Sequence, residues 1–144
     1  MATFNKIEVF VEDLAHGHHD FTSDALSTQT CAFCTTAQVP VTTDNILGDI
    51  APIVMTNMSS RIVLITSSGH TTGTYKLVNT DLVITASAAV PLFDNFAIYN
   101  DDLHAAGPVD PLIMWYLHGS SVTLATSETY TIDFNPTNGF FTLA

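Results

Sequence analysis

ETYTIDFN, residues 128–135, alternates apolar and polar side chains along its length and decides the fold class. Tyr130, Ile132 and Phe134 fall on one face, because successive side chains of a β-strand point to opposite sides. DLVITAS, residues 81–87, shows the same alternation. A strand with one apolar and one polar face is typical of an antiparallel sheet that covers a core on one side and meets water on the other. The pattern therefore predicts half-buried antiparallel strands.

Further segments rich in Thr, Val and Ile read as strands separated by short turn sequences. They are STQTCAFCT, SRIVLIT, GTYKLVN, LFDNFAIYN, PLIMWYLHG, SSVTLAT and GFFTLA. The short connections NTD and NPTNG predict antiparallel neighbours, with the strand after Gly139 pairing back on ETYTIDFN as a closing hairpin. We predict one all-β domain over residues 1–144, an antiparallel β-sandwich or barrel with a short N-terminal α-helix and with strands over residues 26–144.

The predicted helix occupies residues 1–17. Apolar residues recur there at spacings of three and four, which places on one helical face Phe4, Ile7, Phe10, Val11 and Leu14. Asn5 and Glu8 have the spacing of a capping box. Gly17 is a natural helix end, because glycine accepts the left-handed conformation, and His16 then lies in the last turn near the negative end of the helix dipole. We expect the apolar face to pack against the β domain or a neighbouring subunit.

The charge balance excludes two classes of partner. The chain has 14 acidic residues and three cationic ones, which gives a formal net charge of −11. The cations, Lys6, Arg61 and Lys76, are scattered, whereas nucleic-acid binding needs several phosphate-neutralising cations on one face. An anionic membrane would repel this surface for the same reason. A basic protein partner, or one met through apolar contacts, stays open. Hydrophobic residues make up 47% of the chain and charged residues 12%, which suits a repeated subunit of an assembly.

The start, MATFNKIEVFVEDL, lacks the basic segment and uninterrupted apolar stretch of a secretion signal. The longest apolar candidate, VITASAAVPLF, is shorter than the ~20 residues of a membrane helix and contains a proline. We therefore expect synthesis in a cytoplasm, with both cysteines reduced.

The histidine-rich segment DLAHGHHDF, residues 13–21, allows two interpretations. If the chain is extended after Gly17, then His16, His18 and Asp20 project to one side and could hold zinc. Alternatively, His16 lies at the helix end and the other histidines, including His19, are exposed where the chain leaves it. The spacing matches no defined zinc signature, so the helix-end interpretation is favoured.

Cys31 and Cys34 form a C-x-x-C motif without a second pair. A zinc site would require completion by His16 and His18. A redox dithiol would require a helix after the first cysteine, and the surrounding sequence indicates a strand, on which the two side chains would point to opposite faces. We favour buried, inert thiols.

No catalytic motif is present. SSGHTTG, residues 67–73, holds a Ser and a His and is predicted to be a flexible loop between strands. In MWYLH, residues 114–118, one of Trp115 and Tyr116 is expected to anchor the core, and the other could be an interface anchor. We therefore expect no enzyme, no catalytic residue, no cofactor and no metal ligand.

The succession of short motifs resembles a family of small virion structural proteins of tailed bacteriophages. The resemblance covers residues 1–17 and residues 73–144, in which it rests on GTYKLVNTDLVITAS, FAIYND and the closing DPLIMWYLHGSSVTLATSETYTIDFNPTNGFFTLA. It implies a short helix, then a YKLV strand, a YND turn, a GSSVTL strand and a closing DF…NG…L hairpin. Residues 28–72, including both cysteines, match weakly.

The resemblance implies a structural, non-catalytic protein located in the phage particle. A capsid decoration (cement) protein that stabilises the head shell is the first expectation. It implies the major capsid protein as partner and a small cyclic homo-oligomer, such as a trimer. A tail or head–tail junction protein, with tail or connector proteins as partners, is the alternative. A metal-binding protein that uses the His and Cys clusters ranks third.

Overall fold

The computed structural model describes residues 3–21, 27–102 and 107–143, which are mostly β-strand with one short helix, α1 (Phe10–Ala15). The strand pairs of the described residues are all antiparallel, so the predicted all-β antiparallel class is confirmed. The residues at which the predicted β region begins and ends, 26 and 144, lie outside the described residues, as do the first two of the predicted helix. The strands are β1 (Thr3–Lys6), β2 (Ser27–Cys34), β3 (Ile62–Val63), β4 (Ile65–Thr71), β5 (Thr74–Asn79), β6 (Leu82–Thr85), β7 (Val90–Asp102), β8 (Leu112–Leu124), β9 (Thr129–Ile132) and β10 (Phe141–Leu143).

The largest sheet has five strands in the order β1-β8-β7-β2-β3. Its register places Phe33 of β2 opposite Phe96 of β7, and Phe96 opposite Tyr116 of β8. The ring centroids of Phe33 and Phe96 are 6.1 Å apart, and those of Phe96 and Tyr116 stack at 5.2 Å. An aromatic row therefore crosses three neighbouring strands on one face of this sheet.

Two smaller sheets, β10-β5-β4 and β6-β9, pack against the large one. The Tyr130 ring of β9 meets those of Phe33 and Phe93 at centroid distances of 6.2 and 5.2 Å. Asn79 of β5 donates a hydrogen bond from Nδ2 to Oε1 of Gln29 in β2 at 3.0 Å, and both residues are buried. This packing of sheet on sheet agrees with the predicted sandwich.

The alternation that indicated half-buried strands is confirmed. In β6, Leu82 and Ile84 are buried, whereas Val83 between them is 52% exposed. Along β9 and just beyond it, Ile132 and Phe134 are buried and their neighbours are exposed. Each of these strands therefore has one buried face and one face that meets solvent, and the solvent face of β6 includes Val83.

The predicted helix over residues 1–17 is wrong in its first part. Residues 3–6 form β1, which pairs with β8 and places Asn5 opposite Trp115. This pairing satisfies backbone groups of β1 that a helix would have bonded internally. The helical spacing could not reveal it, because that spacing records a local pattern and the partner strand lies about a hundred residues away in the chain.

The predicted capping box of Asn5 and Glu8 does not form. The helix begins after Val9, which provides no side-chain cap. The Glu8 carboxylate instead accepts a hydrogen bond from the Thr42 hydroxyl at 2.9 Å. The predicted helix end is confirmed, because Gly17 follows α1 with φ +74°, in the left-handed region.

The apolar face expected of this helix packs only in part. Ile7 and Phe10 are buried and Leu14 packs partly buried against the core, whereas Val11 is 50% exposed. The side chain of Phe4 lies outside the described residues. The buried apolar residues of this segment therefore come partly from the turn before α1 and partly from the side of α1 that faces the core.

We expect Phe10→Ala to lower the free energy of unfolding by about 3 kcal/mol, because it leaves a cavity among aromatic side chains. The Phe10 ring lies 4.9 Å from the His19 ring and 5.5 Å from the Phe141 ring. Urea denaturation measures the change, with Val11→Ala as the matched exposed control on the same helix. An equal, small effect of both variants would show that Phe10 is not part of the core.

The predicted closing hairpin is also wrong. β9 pairs with β6, whereas β10 pairs with β5 and places Phe141 opposite Leu77. The backbone N–H of Phe140 donates to the Leu77 carbonyl at 2.7 Å, just before β10 begins. Residues 135–139 therefore carry the chain from one small sheet to the other and do not reverse it within one sheet.

Two other connections differ from the prediction. The NTD segment, residues 79–81, joins strands of different sheets and is not a hairpin turn. The SSGHTTG segment, residues 67–73, is not a loop over most of its length, because β4 continues to Thr71. Thr72 and Gly73, with φ 51° and 87°, then form a two-residue turn into β5. Backbone pairing with β5 gives strand structure to a sequence with little apolar content.

The motifs that carry the resemblance match the structure in part. YKLV lies in β5 and GSSVTL lies in β8, so both are strands as expected. YND lies inside β7 and is not a turn. The predicted strand SRIVLIT divides into β3 and β4, whereas PLIMWYLHG and SSVTLAT join in the single strand β8.

Candidate functional site

The histidine segment does not form the one-sided ligand set of the alternative zinc interpretation. Nδ1 of His18 lies 3.1 Å from Oδ1 of Asp13, a residue of α1 that the prediction did not include. The ring of His16 lies edge-on to that of His18, with centroids 5.5 Å apart. When His18 is protonated, this contact becomes an ion pair with a buried carboxylate at the helix end.

His19 anchors the same segment to the large sheet. The expectation that His19 is exposed is wrong, because its side chain is 7% exposed. Its ring lies 4.9 Å from that of Phe10 and 5.7 Å from that of Phe21, so packing among aromatic rings buries it. Its Nδ1 is 2.8 Å from Oδ1 of Asn100 in β7. The Asn100 amide also donates from Nδ2 to the backbone carbonyl of Asp20 at 3.0 Å. These contacts fix the path of the chain after α1, which is a structural role.

Among the described residues, no three His, Cys, Asp or Glu side chains are placed to hold a metal ion. The alternative zinc site of His16, His18 and Asp20 therefore gains no support from the geometry. The other possible zinc site, in which His16 and His18 complete the Cys31 and Cys34 pair, gains no support from the geometry either. The helix-end interpretation of the histidine segment remains the better one.

Cys31 and Cys34 are free thiols in β2, and both are fully buried. Their odd separation in a regular strand places them on opposite faces, so both faces of β2 are covered at this point. Burial raises the pKa of the Cys31 thiol far above its ordinary value and raises that of Cys34 to about 12. Both thiols are protonated at neutral pH, which disfavours redox or metal chemistry because the thiolate is the reactive form.

We expect the free energy of unfolding to decrease as the pH rises from about 9 towards about 12. Between the ordinary pKa of 9.0 and the folded pKa of about 12, the folded state keeps a proton on Cys34 that the unfolded state releases. The sign follows directly, because alkali favours the state that binds fewer protons. Urea denaturation at a series of pH values measures the decline, and Cys34→Ala should make it shallower. Stability that stays constant over this range would contradict the buried, protonated thiol.

Trp115 and Tyr116 of the MWYLH segment have different roles. Trp115 is 7% exposed and belongs to the core. Tyr116, which points to the opposite face of β8, is only partly buried, and burial raises the pKa of its phenol. Tyr116 therefore combines packing on Phe96 with access to the surface.

A cleft, here called the β8 cleft, runs between β8 and residues 130–143. It consists of two cavities of about 430 and 450 Å³, and Tyr116 and Phe140 line both of them. Cavities of this size suit a small organic molecule or a few residues of a peptide.

The first cavity has aromatic walls and a polar rim. Its lining includes Phe96, Tyr130, Phe134, His118, Asp133 and Asn135. The Tyr130 hydroxyl lies 3.1 Å from Nδ1 of His118, and burial raises the pKa of Tyr130 to about 12. The phenol is therefore protonated at neutral pH and acts as a hydrogen-bonding group, not as a nucleophile.

The second cavity is more apolar. Its walls include Val11 of α1, Met114 of β8 and Leu143 of β10, and Lys6 is the one charged residue of its lining. An apolar lining of this kind favours binding of apolar groups and gives a ligand few charged contacts that could select it.

The sequence did not reveal the β8 cleft. The sequence indicates an aromatic segment at MWYLH and an apolar strand face that includes Tyr130 and Phe134. Nothing in the sequence shows that this segment and this face lie opposite each other. Their approach depends on β9 and β10 belonging to different sheets, which leaves the chain between them alongside β8.

Comparison of this chain with models of protein families, with curated proteins and with solved structures finds no match. No helix of the described residues is long and apolar enough to cross a membrane. The function is therefore inferred from the motifs, fold, charge and surface of the chain.

Proposed function

We propose that this chain is a non-enzymatic structural protein of a tailed-phage particle, specifically a capsid decoration protein that stabilises the head shell. One observation carries the proposal: an antiparallel all-β chain holds YKLV and GSSVTL as strands in the order that the resemblance implies. The YND segment and the chain end depart from that order, so the support comes from these two strands and the fold class.

The candidate sites favour binding over catalysis. The buried thiols and the Tyr130 phenol have raised pKa values and are protonated at neutral pH. The β8 cleft offers aromatic and apolar walls with a few hydrogen-bonding groups, which is the composition of a contact surface. The proposed partner is the major capsid protein, which the chain would meet as a homo-oligomer.

The charge of the chain supports a protein partner. With 14 acidic and three basic residues, the surface attracts basic protein surfaces and repels nucleic acid. Electrostatic attraction would then set the association rate and the orientation, while apolar and backbone contacts would supply most of the affinity.

Quantitative mass spectrometry of purified particles, separated into heads and tails, tests the proposal. We expect the chain in the head fraction, with a copy number that scales with the number of major capsid subunits. A few copies per particle in the tail fraction would instead support a tail or head–tail junction protein. Absence from both fractions would contradict a virion role altogether.

A further inference from the structure

The outward edge of β4, here called the β4 edge, belongs to the longest strand that ends a sheet in the part of the chain that the structure describes. β4 is terminal in the order β10-β5-β4, and among the described residues it pairs with β5 alone. It has seven residues, whereas the other terminal strands, β1, β3, β6, β9 and β10, have two to four. Short edge strands are a common protection against pairing with another chain, and β4 lacks that protection.

A bulge at Thr66 interrupts the β4–β5 register near the start of β4. From Ser67 to Thr71 the β4 edge lacks the other usual protections. Its sequence, ITSSGHT, contains no proline and no Lys, Arg, Asp or Glu, which are the residues that block strand addition. Residues 66–73 are all exposed, so β4 meets solvent on both faces after Ile65. A polar, glycine-containing strand that is exposed on both faces does not strongly specify its pairing partner.

The charge distribution indicates what can approach this edge. Residues 50–80 contain no Asp or Glu and include Arg61 and Lys76, whereas all 14 acidic residues lie elsewhere with Lys6 as their one cation. Two copies of the chain repel each other over most of their surfaces. The β4–β5 hairpin itself carries no acidic residue, although the Asp20 charge acts on its Tyr75. A second copy can therefore approach here at lower electrostatic cost than over the strongly acidic parts of the surface.

We propose that the β4 edge is a self-association surface, on which β4 pairs antiparallel with β4 of a second copy. The two three-stranded sheets would then form one continuous sheet of six strands across a two-fold axis. The Lys76 side chains, one strand away from the junction on each side, would be about 14 Å apart and largely screened at physiological salt. This inference goes beyond the proposed function and does not depend on it.

The ladder pattern indicates which backbone groups make the new hydrogen bonds. Thr71 and Thr74 flank the two-residue turn and are directly opposite, so they form the first hydrogen-bonded pair. Hydrogen-bonded and non-hydrogen-bonded pairs then alternate along the hairpin. His70 and Tyr75 are opposite each other and form a non-hydrogen-bonded pair. The N–H and C=O of His70 therefore point to the β4 edge and are free to pair with a second copy.

The first experiment removes that N–H. Sedimentation equilibrium of the wild-type chain should show a reversible dimer or an oligomer built from dimers. His70→Pro should raise the dissociation constant by about tenfold or more, while His70→Thr, which keeps the N–H, should change it little. Circular dichroism and thermal melting of both variants show whether the fold is preserved.

The second experiment remains decisive if the proline unfolds the hairpin. Ser67→Cys places a reactive thiol on β4, and Thr126→Cys places one on an exposed turn far from it in sequence. The native cysteines are buried and do not compete. A short bifunctional maleimide should cross-link Ser67→Cys into covalent dimers and leave Thr126→Cys mostly monomeric.

Three results would overturn the inference: a wild-type chain that stays monomeric at all concentrations, self-association that His70→Pro leaves unchanged in a folded variant, or equal cross-linking of the two cysteine variants. Cross-linking of Ser67→Cys on particles to a different virion protein, without covalent dimers, would also overturn it and assign the edge to that partner. The proposed function fails separately, through absence of the chain from particles.

Discussion

Phe33→Ala is expected to lower the free energy of unfolding by about 4 kcal/mol, because the ring is fully buried at the junction of the sheets and its removal leaves a large cavity. The Phe33 ring lies 4.8 Å from Phe93, 6.1 Å from Phe96 and 6.2 Å from Tyr130. These contacts join the large sheet to the β6-β9 sheet. The substitution therefore weakens the packing of sheet on sheet and not only one strand.

Urea denaturation followed by the fluorescence of Trp115, the only tryptophan, measures this change. Val54→Ala is the matched control, because Val54 is 67% exposed and its truncation should cost less than about 0.5 kcal/mol. A loss below about 1 kcal/mol for Phe33→Ala would contradict a core centred on this ring.

Gly139→Val is expected to cost about 3 kcal/mol and to displace β10. Gly139 has φ +81°, a conformation that β-branched residues rarely adopt. A Cβ at this position would also lie 2.7 Å from the Leu77 carbonyl oxygen and 2.8 Å from Cγ of Lys76. The Leu77 oxygen belongs to backbone that is paired with β10, so it cannot move away without loss of that pairing.

Gly119→Val separates the cost of the positive φ angle from the cost of the close contact with Leu77. Gly119 also has positive φ, at +88°, but a Cβ there would meet nothing within 4 Å. It should therefore show only the conformational cost of about 1–2 kcal/mol. Equal losses for the two variants would contradict the close approach between Gly139 and Leu77. Hydrogen exchange of β10 amides should increase in Gly139→Val and stay unchanged in Gly119→Val.

Local patterns predicted several features correctly because the physics that produces them is local. The alternation in β6 and β9 records which side of each strand meets the core, and the structure buries those apolar side chains. Gly17 marks the end of α1 because a left-handed residue is required there whatever surrounds the helix. The two cysteines of a strand-like sequence without a second C-x-x-C pair were likewise predicted to be buried, as the structure shows.

The sequence by itself thus determined many of the strand segments, the buried faces of β6 and β9 and the antiparallel all-β class. The tertiary structure alone decided which strands become neighbours. Residues 3–6 form a strand and not a helix because β8 offers a backbone partner. β10 pairs with β5 and not with β9, and Gly139 permits the close approach to Leu77 that this pairing contains. The β8 cleft and the β4 edge both follow from these pairings. They could not be read from the sequence, because hydrogen bonding between strands depends on residues far apart in the chain, whereas periodicity records only near neighbours.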